Sequence, residues 1–473
     1  MSGESERTVT VTPLVIVAPD QAPKAKGDEK AKAAREARLE ERDAHARRWK
    51  AIQEAGGSDA WVEAEIAAKG LVVDTDPEAD KASFKEKKKA EAAERRRLRQ
   101  LVWQAYRATH VTHVGAGIYF RDEDVETNAE KEARLARARE NDLSTLDSVP
   151  AFAKALGISP PALRWMCFHR EVESTSHYQF WTIAKRDGSR RLITAPKPEL
   201  KAVQRWLLRN VFEKLPVHAS AHGFLAARSI ASNAELHAGA EVIVKIDIKD
   251  FFPTISFRRV KGLLVKAGLP EGVSTLCALL ATEPPREVVE FRGRTLYVAK
   301  GPRSLPQGAP TSPAITNAIC VRMDRRLSGL AKIHGFVYTR YADDLTFSFR
   351  SPEKKGSRSP APIGSLLRGV SAILEAEGFR VHGKKTTVMR GGTSQRVTGL
   401  VVNRPSQDGV PPARVPRDVV RRLKAAIFNR EKGRPTKEGE TLSELKGLAA
   451  FVHMVDPKKG RAFLDRLAAL EKR

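Results

Sequence analysis

Two short segments of this chain place carboxylates where they could hold a metal. In 241–253 an apolar run ends at Asp247, and the aromatics Phe251 and Phe252 follow. In 336–349 two β-rich runs flank Ala342-Asp343-Asp344. An aspartate at the C-terminal end of a strand is held rigidly at the edge of a sheet. Adjacent aspartates at a hairpin tip repel one another, and Asn-Gly would make the more stable turn. A cation within reach of both offsets that repulsion. Mg²⁺ prefers carboxylate oxygens, water and substrate phosphates in octahedral geometry. Two such ions about 3.5–4 Å apart can stabilise both the attacking and the leaving oxygen of a phosphoryl transfer. Asp247, Asp343 and Asp344 would supply that site if their strands were neighbours. Taken alone, Asp-Asp is more often a polar turn; the surrounding motifs decide between the two.

The elements that must position these residues follow from the pattern of the chain. Strands are expected at 241–247, 335–341 and 345–349, with a helix at 311–333 between them. Upstream, helices are expected at 149–157 and 160–168, strands at 179–185 and 191–194, and a helix at 198–214. Asp187-Gly188, between the two strands, is a hairpin-turn signal. Downstream come helices at 257–267 and 363–378, short strands within 380–402, and closing helices at 416–429, 441–455 and 458–471. Residues 352–362 and 403–416 read as exposed loops. The fold class is α+β with a helical C-terminal module.

Composition narrows the class of partner. The chain has 473 residues, 83 Lys+Arg and 57 Asp+Glu, for a net charge of +26. Residues 1–150 hold 27 basic and 29 acidic residues, so residues 151–473 hold 56 and 28, a net of +28. The basic excess belongs to the C-terminal two-thirds, and a polyanion such as nucleic acid is the expected partner there. The N-terminal third is a different object, with Ala/Glu/Lys/Arg-rich helices at 22–56, 81–108 and 126–141. Lys87-Lys88-Lys89 and Arg95-Arg96-Arg97 could grip phosphates, but read first as solvated helix faces beside glutamates. The three cysteines, Cys167, Cys277 and Cys320, form no C-x-x-C pair, which argues against a zinc ribbon or a disulfide scaffold. The N-terminal segment lacks a basic n-region and a long apolar h-region, and no run of about 18 apolar residues occurs. The expectation is a cytoplasmic protein with no membrane partner.

Tyr341-Ala342-Asp343-Asp344 is the Y-A-D-D form of the reverse transcriptase signature. Asp247-Ile248-Lys249-Asp250-Phe251-Phe252 resembles the first catalytic motif of the same enzymes. Leu305-Pro306-Gln307-Gly308-Ala309-Pro310-Thr311-Ser312-Pro313 stands between them in the expected order. Within that superfamily the chain resembles the bacterial retron reverse transcriptases. Residues 178–206 resemble their fingers region, Asn233-Ala234-Glu235-Leu236-His237 matches their N-A-x-x-H element, and Val397-Thr398-Gly399 matches their V-T-G element. The joint occurrence of these elements makes the resemblance specific. It covers about residues 150–473.

The resemblance implies a right-hand polymerase with an N-terminal helical extension (1–145), fingers (146–240), palm (241–405) and thumb (412–473). It implies an RNA-directed DNA polymerase using two Mg²⁺ ions and dNTPs, with Asp247 and Asp343 as direct metal ligands and Asp344 as the more outer-sphere carboxylate. The partners it implies are a structured msr-msd type non-coding RNA and the RNA–DNA product. Priming would occur on a guanosine 2′-hydroxyl to give branched msDNA, within an anti-phage system that has an effector protein. Lys185 and Arg191 would hold the triphosphate, and Phe252 would exclude a ribose 2′-hydroxyl. Gln307 and Gly308 would approach the nascent pair, and either Lys384 or Lys385 the leaving pyrophosphate. Asn233, His237, Val397, Thr398 and Gly399 would serve RNA recognition, with His237 open to a purely structural role. The basic face of the helix around 419–427 suits an RNA or hybrid backbone.

Three rival readings remain on the sequence alone. One is another reverse transcriptase class, such as group II intron-like, diversity-generating or CRISPR-associated enzymes. A second is a DNA-binding regulator, because 152–168 superficially reads as helix-turn-helix. The third is a non-catalytic RNA-binding scaffold, which the presence of all three aspartates disfavours.

Overall fold

Helices and short antiparallel sheets alternate along the chain, in keeping with the α+β expectation. The computed structural model describes residues 28–73, 81–120, 126–184, 188, 190–351, 361–404, 413–436 and 439–471. The chain divides into two compact units, each discontinuous in sequence. One contains the residues up to Lys214 together with Ser256–Thr311; the other contains Leu215–Ile255 and Ser312–Arg473.

The first unit begins with three helices, Asp28–Glu54, Ser58–Ala68 and Lys81–Thr109. Val62, Ile66 and Leu98 form a small core among them. The middle helix was not expected, because only Val62 and Ile66 mark its buried stripe. The next helix, Asn128–Glu140, opens with a capping box: Thr127 Oγ1 accepts from the Glu130 amide, and the Glu130 carboxylate accepts from the Thr127 amide. It packs so tightly against residue 268 that a Cβ there would lie 2.3 Å from the Ala138 nitrogen, which requires Gly268.

Serine N-caps at 148 and 159 start the helices Val149–Leu156 and Pro160–Cys167. Phe152, Leu156, Leu163 and Cys167 bury their inner faces. This helix pair is therefore part of a packed core, and the hairpin Tyr178–Ala184/Arg190–Pro196 follows it, exposed over most of its length toward the turn. The 256–311 part adds two helices and a second hairpin. The helix Glu271–Ala281 is buried along nearly its whole circumference, so it lacks the amphipathic period that would have announced it. The hairpin Arg286–Phe291/Arg294–Ala299 was also not expected. Its two-residue turn is Arg292-Gly293, both at positive φ (49° and 70°), and Arg-Gly is a weaker turn signal than Asn-Gly.

The second unit is built on a four-stranded antiparallel sheet. From one edge to the other its strands are Phe336–Tyr341, Asp344–Phe349, Val242–Asp247 and Thr387–Arg390. The expected single helix over 311–333 is two, Ser312–Ile319 and Val321–Ile333, which break at Cys320. Three helices, Arg417–Glu431, Leu442–Val455 and Pro457–Glu471, close the unit around a core that includes Leu423, Ile427, Leu445 and Val452. All three cysteines are buried, and none is in a disulfide among the described residues. No helix among the described residues is long and apolar enough to cross a membrane.

Candidate active site

Register brings the carboxylates together. In the antiparallel pairing of 242–247 with 344–349, Asp247 stands directly opposite Asp344, so the two side chains leave the same face of the sheet. Tyr341 pairs with Asp344, which makes Ala342-Asp343 a two-residue turn. The Ile248 amide donates to the Asp343 carbonyl (3.0 Å), tying that turn to the end of the neighbouring strand.

The turn is held by groups that local sequence does not announce. Ala342 has φ of 57°, a left-handed conformation unfavourable for a residue with a Cβ. Gly223 lies so close that a Cβ there would be 2.7 Å from the Ala342 nitrogen. Arg340, fully buried, donates to both carboxylate oxygens of the equally buried Asp324, to Asn317 Oδ1 (3.0 Å) and to the Ala342 carbonyl (3.3 Å). The Tyr338 hydroxyl also donates to Asp324 (2.8 Å). A signal for this network did exist. Asp324 sits in the core stripe of its helix with Leu327 and Ala331, and an acid there needs a buried cation.

The site's electrostatics favour a bound cation. Burial holds the Asp343 carboxyl above the usual carboxylate range, and the charges of Asp247 and Asp344 push it the same way. Lys385 Nζ donates to both oxygens of Asp247 (3.2 and 3.1 Å), and Lys245 Nζ to Asp344 Oδ2 (3.2 Å). Among the described residues, no group of three or more His, Cys, Asp or Glu side chains forms a ready metal cage. The carboxylates present fit a hard cation that takes one or two protein ligands and completes its shell with water and substrate phosphates. Of the two lysines left open on sequence, Lys385 is the one that meets the carboxylates.

Phe251 is buried against Phe379 (ring centroids 5.6 Å apart), while Phe252 is half-buried beside Phe224 (6.4 Å), which in turn faces Tyr341 (6.4 Å). In the other unit, the Gln307 carbonyl accepts from the Thr194 amide (2.8 Å). Gly308 there has φ of 127°, and a Cβ at that position would be 3.1 Å from the Thr194 carbonyl oxygen. Arg191 is exposed on the 190–196 strand; Lys185 lies outside the described residues.

The residues expected to touch RNA divide by burial. Asn233, His237 and Val397 are 0% exposed. In this arrangement their side chains lie beneath the surface. His237 bridges Ser348 Oγ and Thr339 Oγ1 (both 2.7 Å) on the two strands that carry Asp343 and Asp344 at their tip. Burial pushes its pKa down to about 3, with His222 adding to the shift, so the ring is neutral. Val397 belongs to the core cluster that includes Ala234, Ile243 and Leu400. Thr398 and Gly399, both at positive φ (45° and 88°), form the turn of the small 396–401 hairpin. Thr398 Oγ1 donates to the Ile230 carbonyl (2.8 Å), fastening that turn to the short helix Ile230–Glu235.

With this geometry in place, comparison with known proteins is informative. The family described as "Reverse transcriptase (RNA-dependent DNA polymerase)" matches residues 183–410. The chain is 59% identical to the Retron Mx162 reverse transcriptase of Myxococcus xanthus, over 93% of this chain and 92% of that protein. It is 40% identical to the Retron Mx65 reverse transcriptase of the same organism, over 80% and 81% of the two chains. To the Retron Ec86 reverse transcriptase of Escherichia coli it is 30% identical, over 71% and 93%.

Proposed function

Because the chain belongs to the retron reverse transcriptases, and so is an RNA-directed DNA polymerase of a family that uses divalent metal ions, we propose that it makes branched msDNA from its own msr-msd type RNA. Synthesis starts from a guanosine 2′-hydroxyl and serves an anti-phage system with a partner effector, in the cytoplasm. The observation that carries the reading is the opposition of Asp247 and Asp344 across one strand pair, with Asp343 at the adjoining turn.

Asp247 and Asp343 would hold two Mg²⁺ ions, with Asp344 as the outer carboxylate. The chemistry a bound metal pair supplies is easier deprotonation of the attacking hydroxyl and neutralisation of the leaving group. The chain's own residues do the rest. Lys385 orients Asp247 and stands ready to meet the pyrophosphate. Lys185 and Arg191 would hold the triphosphate, Phe252 would exclude a ribose 2′-hydroxyl, and Gln307 and Gly308 would approach the nascent pair. In this reading, residues 146–240 act as fingers, 241–405 as palm and 412–473 as thumb, with 1–145 as an extension. His237 positions the two strands it bridges; Asn233 and Val397 would serve RNA recognition from beneath the surface, and Thr398 and Gly399 would present the 396–401 turn to RNA. The test is the Asp343→Asn, Asp344→Asn double variant supplied with the cognate RNA. It binds RNA and makes no msDNA; msDNA at the wild-type level from it overturns the proposal.

A further inference from the structure

The helix Lys81–Thr109 carries a face that none of the polymerase chemistry uses. Its inner side packs Leu98 and Ala105, both buried. At helical spacing along the opposite side stand Lys85, Lys88, Arg96, Arg99, Trp103 and Arg107. No acidic residue stands at those positions: Glu91 and Glu94 turn to Arg95, Arg97 and Lys69, and the third glutamate, Glu86, lies beside the stripe.

The aromatic end of the stripe is ordered as a stack. Trp103 lies over Tyr106 (6.0 Å, 20° between planes) and Tyr106 over His110 (4.3 Å, 13°), with Trp49 edge-on to both Tyr106 and His110. Trp103 is 52% exposed. A large flat ring left half in water at the end of a stack is an open stacking position.

The surface continues within the same unit. Arg164 Nε donates to the His113 carbonyl (2.7 Å), just past the helix end. Arg164 and Arg170 both lie over the Phe168 ring (5.1 and 4.9 Å). Trp165, 53% exposed, stands edge-on to His177 (4.2 Å). Arg164, Trp165, Phe168, Arg170 and His177 line a cavity of about 220 Å³ together with Glu173, whose carboxylate is paired with Arg286. Burial, then the like charges of Arg107 and Arg170, hold the Arg164 pKa below its usual value. Among the described residues no carboxylate forms an ion pair with Arg107, Arg164 or Arg170. Crowded arginines beside exposed flat rings match a polyanion that has free π-faces.

We infer that this face, running from Lys85 past Trp103 to Trp165, is a binding track for single-stranded RNA, with bases stacked on Trp103 and Trp165 and phosphates held by the flanking arginines. A duplex, its bases already stacked, could use only the charges. The inference takes from the preceding section only the RNA-directed activity, not msDNA synthesis or priming.

The test uses the full-length protein saturated with a blunt primer–template duplex, so that the polymerase site is filled. Binding of a labelled unpaired 12-mer RNA is then measured for wild type, Trp103→Ala with Trp165→Ala, and Trp103→Phe with Trp165→Phe. The alanine pair weakens 12-mer binding by about tenfold or more, as loss of base stacking at one or two positions predicts. The phenylalanine pair retains most of the affinity, and extension of a primer–template is unchanged in both. Alanine variants that bind the 12-mer as wild type does overturn the inference. So does a wild-type protein that, at this face, takes the same RNA equally well as a duplex. A protein whose alanine variants lose a co-purifying polypeptide, but no RNA, marks the face as a protein dock and overturns it as well.

Discussion

At the scale of single residues, the site places like charges where only a cation makes them stable together. Asp343 is the clearest case: burial and two neighbouring carboxylates all oppose its ionisation. Lys385 and Lys245 hydrogen-bond to Asp247 and Asp344, and the charge of Lys385 offsets the burial of Asp343 only in part. The roles of Phe251 and Phe252 separate in the same way. Both are aromatic and adjacent in sequence; the structure buries Phe251 and leaves Phe252 half-buried beside Phe224. Phe252→Ala is expected to raise incorporation of ribonucleotides relative to deoxyribonucleotides, read by competitive single-nucleotide extension. Unchanged sugar selectivity would place the gate at another side chain.

At the scale of elements, the Asp-Asp turn is held from behind. Arg340 and Asp324 join the 336–341 strand to the 321–333 helix, and Arg340 reaches on to the Ala342 carbonyl. Asp324→Ala would leave a guanidinium buried without its partner. It is expected to cost about 3–5 kcal/mol of stability, measured by denaturant unfolding. A change under about 1 kcal/mol would show the pair to be dispensable, as exposed ion pairs are. The strands and helices around the site were legible because their apolar periods are clean and their turns carry Asp-Asp or Asp-Gly. Other elements were not legible, two of them for a clear physical reason. The 271–281 helix is apolar all round, and the 286–299 hairpin turns on Arg-Gly. The network behind the turn was visible only as an acid in a core stripe, and its partner lies 16 residues away along the chain.

At the scale of the molecule, two compact units share one chain that passes between them, and a reading of continuous segments does not express that. Contact across long stretches of sequence, such as Gly268 against Ala138, leaves no local mark beyond the glycine itself. The three aspartates were legible because their chemistry is unusual wherever they sit. Buried and half-buried histidines contribute to the molecule's response to acid. Burial pushes His237 down to about 3, and His169 and His222 to about 4, from an ordinary 6.5. Each is neutral in the fold and takes up a proton on unfolding below about 6.5, so the stability it contributes is full above that pH and is lost as pH falls toward 3–4. The urea midpoint is expected to drop between pH 7 and pH 5, and to drop less in His237→Gln. An equal drop in the variant would remove His237 from the account.

The most direct measurement concerns Asp247, which is remote in sequence from the turn it meets. Mn²⁺ binding, followed by electron paramagnetic resonance on the enzyme with primer–template and an incoming dNTP, can be compared between wild type and Asp247→Asn alongside single-nucleotide extension. The shared-site account predicts that Asp247→Asn loses tight Mn²⁺ binding and extension together while keeping its fold. A variant that binds Mn²⁺ and extends primers as the wild type does would contradict it.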